Sequence, residues 1–543
     1  MPRLRDRGRS EHPDSPRPTI GTRLALRVLQ LGAIAVVLAA APYKQFDLDR
    51  FFVPKELALH GTALLATLLV GLRVRRLALA RVDQFLAIFL ALGALAALFS
   101  TNWWAAQRAV MISLAGAACF WTARAVARAG LARPLIGVLA FTAVLGAATS
   151  LLQAYGLRTE YFSLNRAPGG TFGNRNFMAH LCVIATPALI LMALGARSRG
   201  SWIRWCVGVG IVSAALILSR SRAAWLALIV CGVVVAPLGF LIFRQSPGSV
   251  RWRRVWALPF AAGIGAILAL ILPNTLDWKS DSPYLDTARS VVNYKEGSGR
   301  GRLVQYGNTL RMSSHHPLLG VGPGNWGVVY PKFASPNDPS LADNGMTSNP
   351  WPSSDWMTFL SERGLVAFAV LALAMVALVA DALRGLGAPG EEDRLSALTL
   401  LGTIVILLVV GTFDAVLLLP VAALIAWALL GALSRQGRER TTVELAGDKR
   451  VAVIVAVLLV GGIAIARSTT QLLAMDLFNG TTRRTVLEEA SSYDPGSYRI
   501  HLRLAQAYLA RGSCRQAGAH ARASRRLYPN AGEPRQVLRA CGM

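Results

Sequence analysis

The chain has 543 residues, of which 54% are hydrophobic and only 16% charged, with 57 Lys+Arg against 29 Asp+Glu and a formal net charge of +28. A water-soluble enzyme carries charge on about a quarter of its residues, so that class is excluded. The arginines gather in alternate short loops rather than along one surface, which argues against nucleic acid as a partner and for membrane topology.

Apolar blocks of about 18–22 residues, each able to cross a hydrocarbon core of roughly 30 Å, predict an all-α polytopic membrane protein, a bundle of about 12–13 transmembrane helices. Thirteen spans are expected near 25–43, 55–73, 82–100, 109–124, 133–155, 177–195, 203–219, 223–243, 256–272, 363–383, 396–412, 415–433 and 451–467. The clusters Arg73/Arg75/Arg76/Arg81, Arg124/Arg128/Arg133, Arg197/Arg199/Arg204 and Arg244/Arg251/Arg253/Arg254 then fall on one side, with the basic N-terminus of residues 1–24. The positive-inside rule makes that side cytoplasmic, and topology with anionic-lipid contact accounts for most of the charge. The N-terminus, basic and proline-rich through Arg23 and Arg27, is not expected to be a cleaved signal. Three parts follow: residues 1–24, a transmembrane domain over 25–467, and an external tail over 468–543.

The polar motifs all fall on the outer side. "NRAPGGTFGNRNFMAH" (165–180) sets Arg166, Asn174, Arg175 and Asn176 at a helix start, where unpaired backbone N–H groups and the dipole favour an anion; a Gly-rich turn with Asn capping is the plainer reading. "SRSRAAW" (219–225) puts Arg220 and Arg222 on the outer face against the positive-inside bias, so they need a carboxylate such as Asp355 or a ligand phosphate. In the long loop 273–362, "GSGRGRL" holds Arg300 and Arg302. It is followed by "HHPLLGVGPGNW" with His315, His316, Gly320, Gly322, Gly324, Asn325 and Trp326. A GxGxG run can cradle phosphate, though this one follows no strand, and the histidines equally suit a solvated helix end. "NPWPSSDWMTFLSERGLVAF" (349–368) carries Asp355 and Glu362, seven apart and therefore on one helix face; Glu362 suits capping or an arginine partner. Together these motifs describe an external cleft suited to a pyrophosphate beside a carbohydrate, held by arginine without a metal. No metal site and no cofactor are expected.

The tail "YRIHLRLAQAYLARGSCRQAGAHARASRRLYP" reads as a helical hairpin whose Leu504, Ala505, Tyr508, Gly512, Ala521 and Pro529 resemble one tetratricopeptide repeat. One repeat is too few to stand alone, so the tail is expected to pack on flanking helices or on a partner. Cys514 and Cys541 are suited to a disulfide pinning it, whereas Cys119, Cys182, Cys206 and Cys231 lie in or beside spans as small hydrophobes.

"FDLDRFFVPKE", "GGTFGNRNFMAHL", "SRSRAAWLAL", "GRGRL…HHPLLGVGPGNW…YP" and "DWMTFLSERGL", in this order, resemble the O-antigen ligase / Wzy polymerase superfamily over about residues 45–430. The resemblance implies a GT-C-type membrane glycosyltransferase passing a glycan from undecaprenyl pyrophosphate to a lipid, glycan or protein acceptor at the periplasmic face of the bacterial inner membrane. It implies an inverting, metal-independent reaction. Arg166, Arg175, Arg220 and Arg302 would surround the pyrophosphate, with Arg222, Arg300, Asn174 and Asn176 around them; Gly320, Gly322 and Gly324 would shape a loop presenting Asn325 and Trp326 to sugar. Where the family offers a His-Asn pair this sequence reads Ser353-Ser354-Asp355, so the base passes to Asp355 or His316. A tail of this kind resembles the subset with periplasmic repeats, where a partner docks or the polymer is handled. A transporter, which would place ionisable residues and broken helices at mid-membrane depth, or a non-catalytic scaffold of polysaccharide assembly, are the alternatives.

Overall fold

The computed structural model describes residues 18–543 apart from 47, 73–74, 163–165, 245–251, 290–296, 435–440 and 446. The basic N-terminus expected over 1–24 lies mostly outside the described residues, as do Arg73, Arg251 and Asn165. The first elements are α1 (Ile20–Leu38), α2 (Asp49–Gly71), β1 (Arg76–Leu79), α3 (Arg81–Ala97), α4 (Trp103–Val126), α5 (Ala132–Ala154), α6 (Arg175–Leu194), α7 (Arg199–Ser219), α8 (Arg222–Arg244) and α9 (Trp252–Ile271). The large loop contributes α10 (Pro283–Arg289), α11 (Gly297–His315) and α12 (Trp326–Val329). The chain returns through α13 (Asp355–Leu386), α14 (Glu391–Phe413), α15 (Pro420–Leu433), β2 (Thr441–Glu444) and α16 (Asp448–Phe478), and ends with α17 (Arg484–Tyr493), α18 (Tyr498–Leu509), α19 (Cys514–Leu527) and α20 (Glu533–Ala540).

Ten helical stretches are long and apolar enough to cross a membrane, one of them the 52-residue run Trp103–Ala154 that joins α4 and α5. With α3 at 17 residues and the wholly apolar α15 at 14, the described residues supply one helix for each of the thirteen expected spans. The protein is an all-α polytopic membrane protein. Boundaries moved where polar residues sit inside the ends of helices: α13 starts at Asp355 rather than 363, and α16 runs on to Phe478. The sequence reading missed the β1–β2 ribbon, which pairs Arg76 with Glu444 through Leu79 with Thr441 at the end of the bundle away from the large loop.

The core centres on α15, every residue of which is buried, as expected of a helix that is apolar all round. Its closest approach is to α4. A Cβ on Gly431 would lie 2.1 Å from the Phe120 carbonyl oxygen, and one on Gly116 would lie 2.7 Å from the Trp427 ring. Small residues let helices touch where lipid supplies no hydrophobic drive. By contrast α16 leans on α2 and leaves most of its surface outward.

The large loop is seated on α13 by backbone and carboxylate bonds. Val321 and Gly322 donate their N–H groups to the carbonyls of Ser361 and Glu362 at 2.9 Å each, and Leu365 donates to Pro317 at 2.8 Å. This strap fits because Gly364 opens α13 at φ 80° and Gly320 stands at φ 65°; a Cβ on either would meet the opposite backbone at 2.0 and 2.4 Å. Glu362, 2% exposed, then accepts the N–H groups of Gly324 at 2.7 Å and Trp326 at 3.0 Å. The capping alternative for Glu362 is therefore what the structure shows, with α12 as the capped helix.

The tail is a compact unit of four short helices around Leu487, Ile500, Leu504, Ala517 and Val537. Cys514 and Cys541 form the expected disulfide, with Cα atoms 5.4 Å apart. The unit packs on its own chain: Asn102 donates its side-chain N–H to the Leu527 carbonyl at 3.3 Å, Asn530 donates to Val328 at 3.2 Å, and Gly532 donates its N–H to Asn344 at 2.8 Å.

Two stability predictions follow from these contacts. Gly431→Val forces α4 and α15 apart and costs about 1–3 kcal/mol, read as a lowered melting temperature in detergent, while Gly462→Ala, which meets open space, leaves it unchanged. Glu362→Gln strands one of two backbone N–H groups and costs about 1–3 kcal/mol, with proteolytic cleavage appearing first in residues 316–325.

Candidate functional site

At the end of the bundle that carries the large loop, α6 begins at an Asn174 cap whose side chain accepts the Asn176 N–H at 3.0 Å. Asn174 is thereby a buried cap, as the plainer reading had it, and Asn176 is half-buried beside it. Arg175 follows at the first helical position, and its guanidinium lies 4.9 Å from the centre of the Trp278 ring. Arg220 approaches the same ring at 4.6 Å, so the two guanidinium carbons are no farther apart than the sum of those distances. Arg166, exposed, stands within electrostatic reach of Arg175, as does Arg220. Its carbonyl accepts the Arg175 N–H at 3.1 Å. None of these three arginines, nor Arg302, makes a salt bridge to a described residue.

Arg220 is the one non-glycine among the described residues with positive φ, at 52°. Such a backbone costs of order 1–3 kcal/mol and persists where surroundings enforce it, often at functional sites. Here the strain turns the chain from α7 into α8 and aims the side chain sideways. Its Nε donates to Thr287 Oγ1 at 2.8 Å, and Thr287 in turn donates to the Pro283 carbonyl at 2.8 Å. The outer pair of guanidinium nitrogens is left without a protein partner among the described residues.

One and a half turns deeper along α6, His180 is 2% exposed and neither ring nitrogen has a hydrogen-bond partner. Its Nε2 lies 3.9 Å from Asp414 Oδ2, too long for a direct bond. A cavity lined by Phe52, Lys55, Phe177, His180 and Val416 has room for about one water. Arg302 and Asp414 both act on His180 electrostatically. The Arg302 Nε is buried with no hydrogen-bond partner among the described residues. Arg302 sits one turn before Tyr306, whose hydroxyl is 2.6 Å from the carbonyls of both Ser353 and Thr412. That contact brings α11 over the α14–α15 turn and its Asp414.

Asp355 is fully buried, and its carboxylate accepts the N–H groups of Val416 at 2.8 Å and Leu417 at 2.9 Å. Its own N–H donates to the Asp414 carbonyl at 3.3 Å. With its oxygens occupied it shapes the turn that holds Asp414 and offers nothing to a substrate. Asn325 and Trp326, expected to face sugar, are fully buried. Asn325 accepts the Asn102 N–H at 2.7 Å and donates back to its carbonyl at 3.1 Å, while Trp326 Nε1 donates to Thr309 at 3.0 Å. Gly320, Gly322 and Gly324 spend their N–H groups on His316, Glu362 and the Glu362 carboxylate, so the GxGxG run cradles no phosphate.

His316 is exposed just past the end of α11, and fourteen residues of helix from Arg302 put it about 20 Å away along the axis. Arg300, two residues before Arg302, is exposed on another face of that helix. Arg222 is half-buried at the start of α8 and has a partner of its own. In the same loop, burial first and then the Asp338 carboxylate hold the Tyr330 phenol above its usual range, so it stays a donor to Asp338 at 2.7 Å.

The structure thus brings together Arg166, Arg175 and Arg220, with Arg302 beside His180, and adds Trp278, Thr287, His180 and Asp414. His180 closed a quoted motif without a role; Trp278 and Asp414 gave no signal beyond a polar or aromatic residue on an outer loop.

A family model described as O-Antigen ligase matches residues 207–372, from α7 into α13. No curated protein matches the chain. The matched segment contains Arg220, Trp278, Thr287, Arg302, the loop strap and the buried carboxylates Asp355 and Glu362. That match supports, for the segment from α7 into α13, a likeness to the O-antigen ligase / Wzy polymerase superfamily, whose general chemistry is glycan transfer between a polyprenyl-linked donor and an acceptor.

Proposed function

We propose that the chain transfers a glycan from undecaprenyl pyrophosphate to an acceptor hydroxyl at the periplasmic face of the bacterial inner membrane, inverting the anomeric carbon and using no metal. The observation that carries this reading is the gathering of Arg166, Arg175 and Arg220 at one helix N-terminus with no salt-bridged carboxylate among the described residues. Like charges so arranged repel one another, and the positive end of the α6 dipole adds to the repulsion, so the group is prepared for a multiply charged anion. The positive-inside distribution supports the periplasmic orientation.

In this mechanism Arg175 and Arg220 grip the pyrophosphate, Arg166 approaches it from the solvent side, and Arg302 faces the sugar end. The acceptor oxygen attacks the anomeric carbon while the bond from that carbon to the pyrophosphate oxygen breaks. The electron pair leaves with the pyrophosphate, and the guanidinium groups stabilise the charge that develops there. The acceptor proton passes to Asp414, the half-buried carboxylate 3.9 Å from His180. Asp355 is a positioning residue, acting through the Asp414 turn. The GT-C assignment, a tetratricopeptide-like tail and the three-part division at residues 24 and 467 belong to the same proposal.

Arg220→Ala is expected to lower transfer about 10²–10³-fold in vesicles loaded with lipid-linked glycan, with insertion intact; transfer at the wild-type rate would sink the arrangement. Asp414→Asn is expected to cost about 10²–10⁴-fold without lowering the melting temperature, whereas Asp355→Asn lowers both. Deleting the gene separates the two activities of the superfamily: long chains stranded on undecaprenyl pyrophosphate mark a ligase, single repeat units a polymerase.

A further inference from the structure

Residues 498–543 hold nine arginines, no lysine and a single acidic residue, Glu533. All nine arginines are exposed, and none forms a salt bridge with a described residue. The preceding helix behaves differently: on α17 Arg484 pairs with Glu488 at 3.4 Å. The compensation stops where α18 begins.

These arginines stand in rows, and the partners they do have are uncharged: Arg499 donates to the Gln45 carbonyl, Arg522 to Met543 Sδ and Arg535 to the Pro529 carbonyl. Arg499 and Arg503 lie four apart on α18, Arg522 and Arg526 on α19, and Arg535 and Arg539 on α20, so each pair shares one face at about 5–6 Å spacing. Like charges so placed weaken a helix, and positive charge in an external segment opposes the topological bias. Both costs vanish when an anion occupies the rows. The disulfide between Cys514 and Cys541 ties α19 to α20, fixing two of the rows relative to each other before any ligand arrives.

We propose that this surface binds an anionic glycan, so that the polymer this protein handles bears carboxylates or similar oxyanions along its length. Exclusive use of arginine favours planar carboxylates held by two parallel bonds over a diffuse lipid surface, where lysine serves as well. Position favours a glycan. The tail is fastened to the large loop through Gly532 to Asn344 at 2.8 Å and Asn530 to Val328 at 3.2 Å, and that loop carries Arg302 on the helix that Tyr306 fastens to the Thr412 carbonyl. The helices that bear the arginine rows are therefore held against the loop beside the site, within reach of a chain that leaves it. Identifying the bound polymer as the transferred one rests on the glycan-transfer reading; the binding itself does not.

The full chain, purified in neutral detergent, is titrated with oligogalacturonate and with dextran fragments of equal length. The acidic oligomer binds, weakening as salt screens the rows, and dextran does not. The variant R522Q/R526Q/R535Q/R539Q loses about tenfold or more in affinity at an unchanged melting temperature, and R535Q/R539Q loses part of it. Arg220→Ala binds as the parent does, so loss of transfer and loss of tail binding are read separately. Absence of oligogalacturonate binding overturns the proposal, as does equal binding by the four-fold variant. So does a result in which the tail arginines matter only for vesicles containing phosphatidylglycerol.

Discussion

The arrangement depends on two buried carboxylates at the start of α13. Asp355 and Glu362 lie seven residues apart, and each accepts two backbone N–H groups, Asp355 from the turn after α14 and Glu362 from the loop before α12. Irregular backbone near a membrane is tolerated only when its polar groups are satisfied within the protein. A carboxyl group offers two oxygens at once for that purpose. One helix face thereby holds both the loop that supports α11 and the turn that presents Asp414. The glycine at 364, with φ 80°, makes room for the strap that completes the joint.

The same logic separates arginines whose charge the fold uses from those whose charge it leaves over. Arg108 is held by Glu56 at 2.6 Å and Asp49 at 2.9 Å, and Arg363 by Ser113 at 2.6 Å and the faces of Phe89 and Phe359. Both are accounted for by the protein. Arg175 and Arg220 share one Trp ring and repel each other, which leaves their charge for something the chain does not supply. Arg220 also sits in an uncommon backbone conformation held in place by Thr287. The cluster is therefore held in place by the fold itself, as the proposed stabilisation of a leaving group requires.

The tail extends this theme of uncompensated charge away from the membrane. Its buried face is an ordinary small helical core, with Leu504, Ala505 and Ala521 inside, and its outer face is almost purely cationic. The docking onto Asn102, Val328 and Asn344 makes the tail part of the same rigid face as the large loop.

Much of this was determined by the sequence itself. The thirteen apolar blocks, the alternation of arginine clusters and the heptad spacing of Asp355 and Glu362 are local properties, and the helices follow them because length, charge and periodicity act over a few turns. The arginine motifs were legible because arginine in loops read as external contradicts the topological bias, and the Cys514–Cys541 pair because two cysteines lie in one segment read as external. Only the tertiary structure decided which polar groups are already spoken for. Asn325, Trp326 and the glycines of the loop read as ligand contacts until Asn102, Thr309 and Glu362, up to 223 residues away in sequence, were seen to occupy their hydrogen bonds. Trp278, His180 and Asp414 acquired meaning only when four separate connections met at one end of the bundle. A polar side chain declares its chemistry in sequence, but whether that chemistry is spent inside the fold depends on partners that chain folding alone brings within reach.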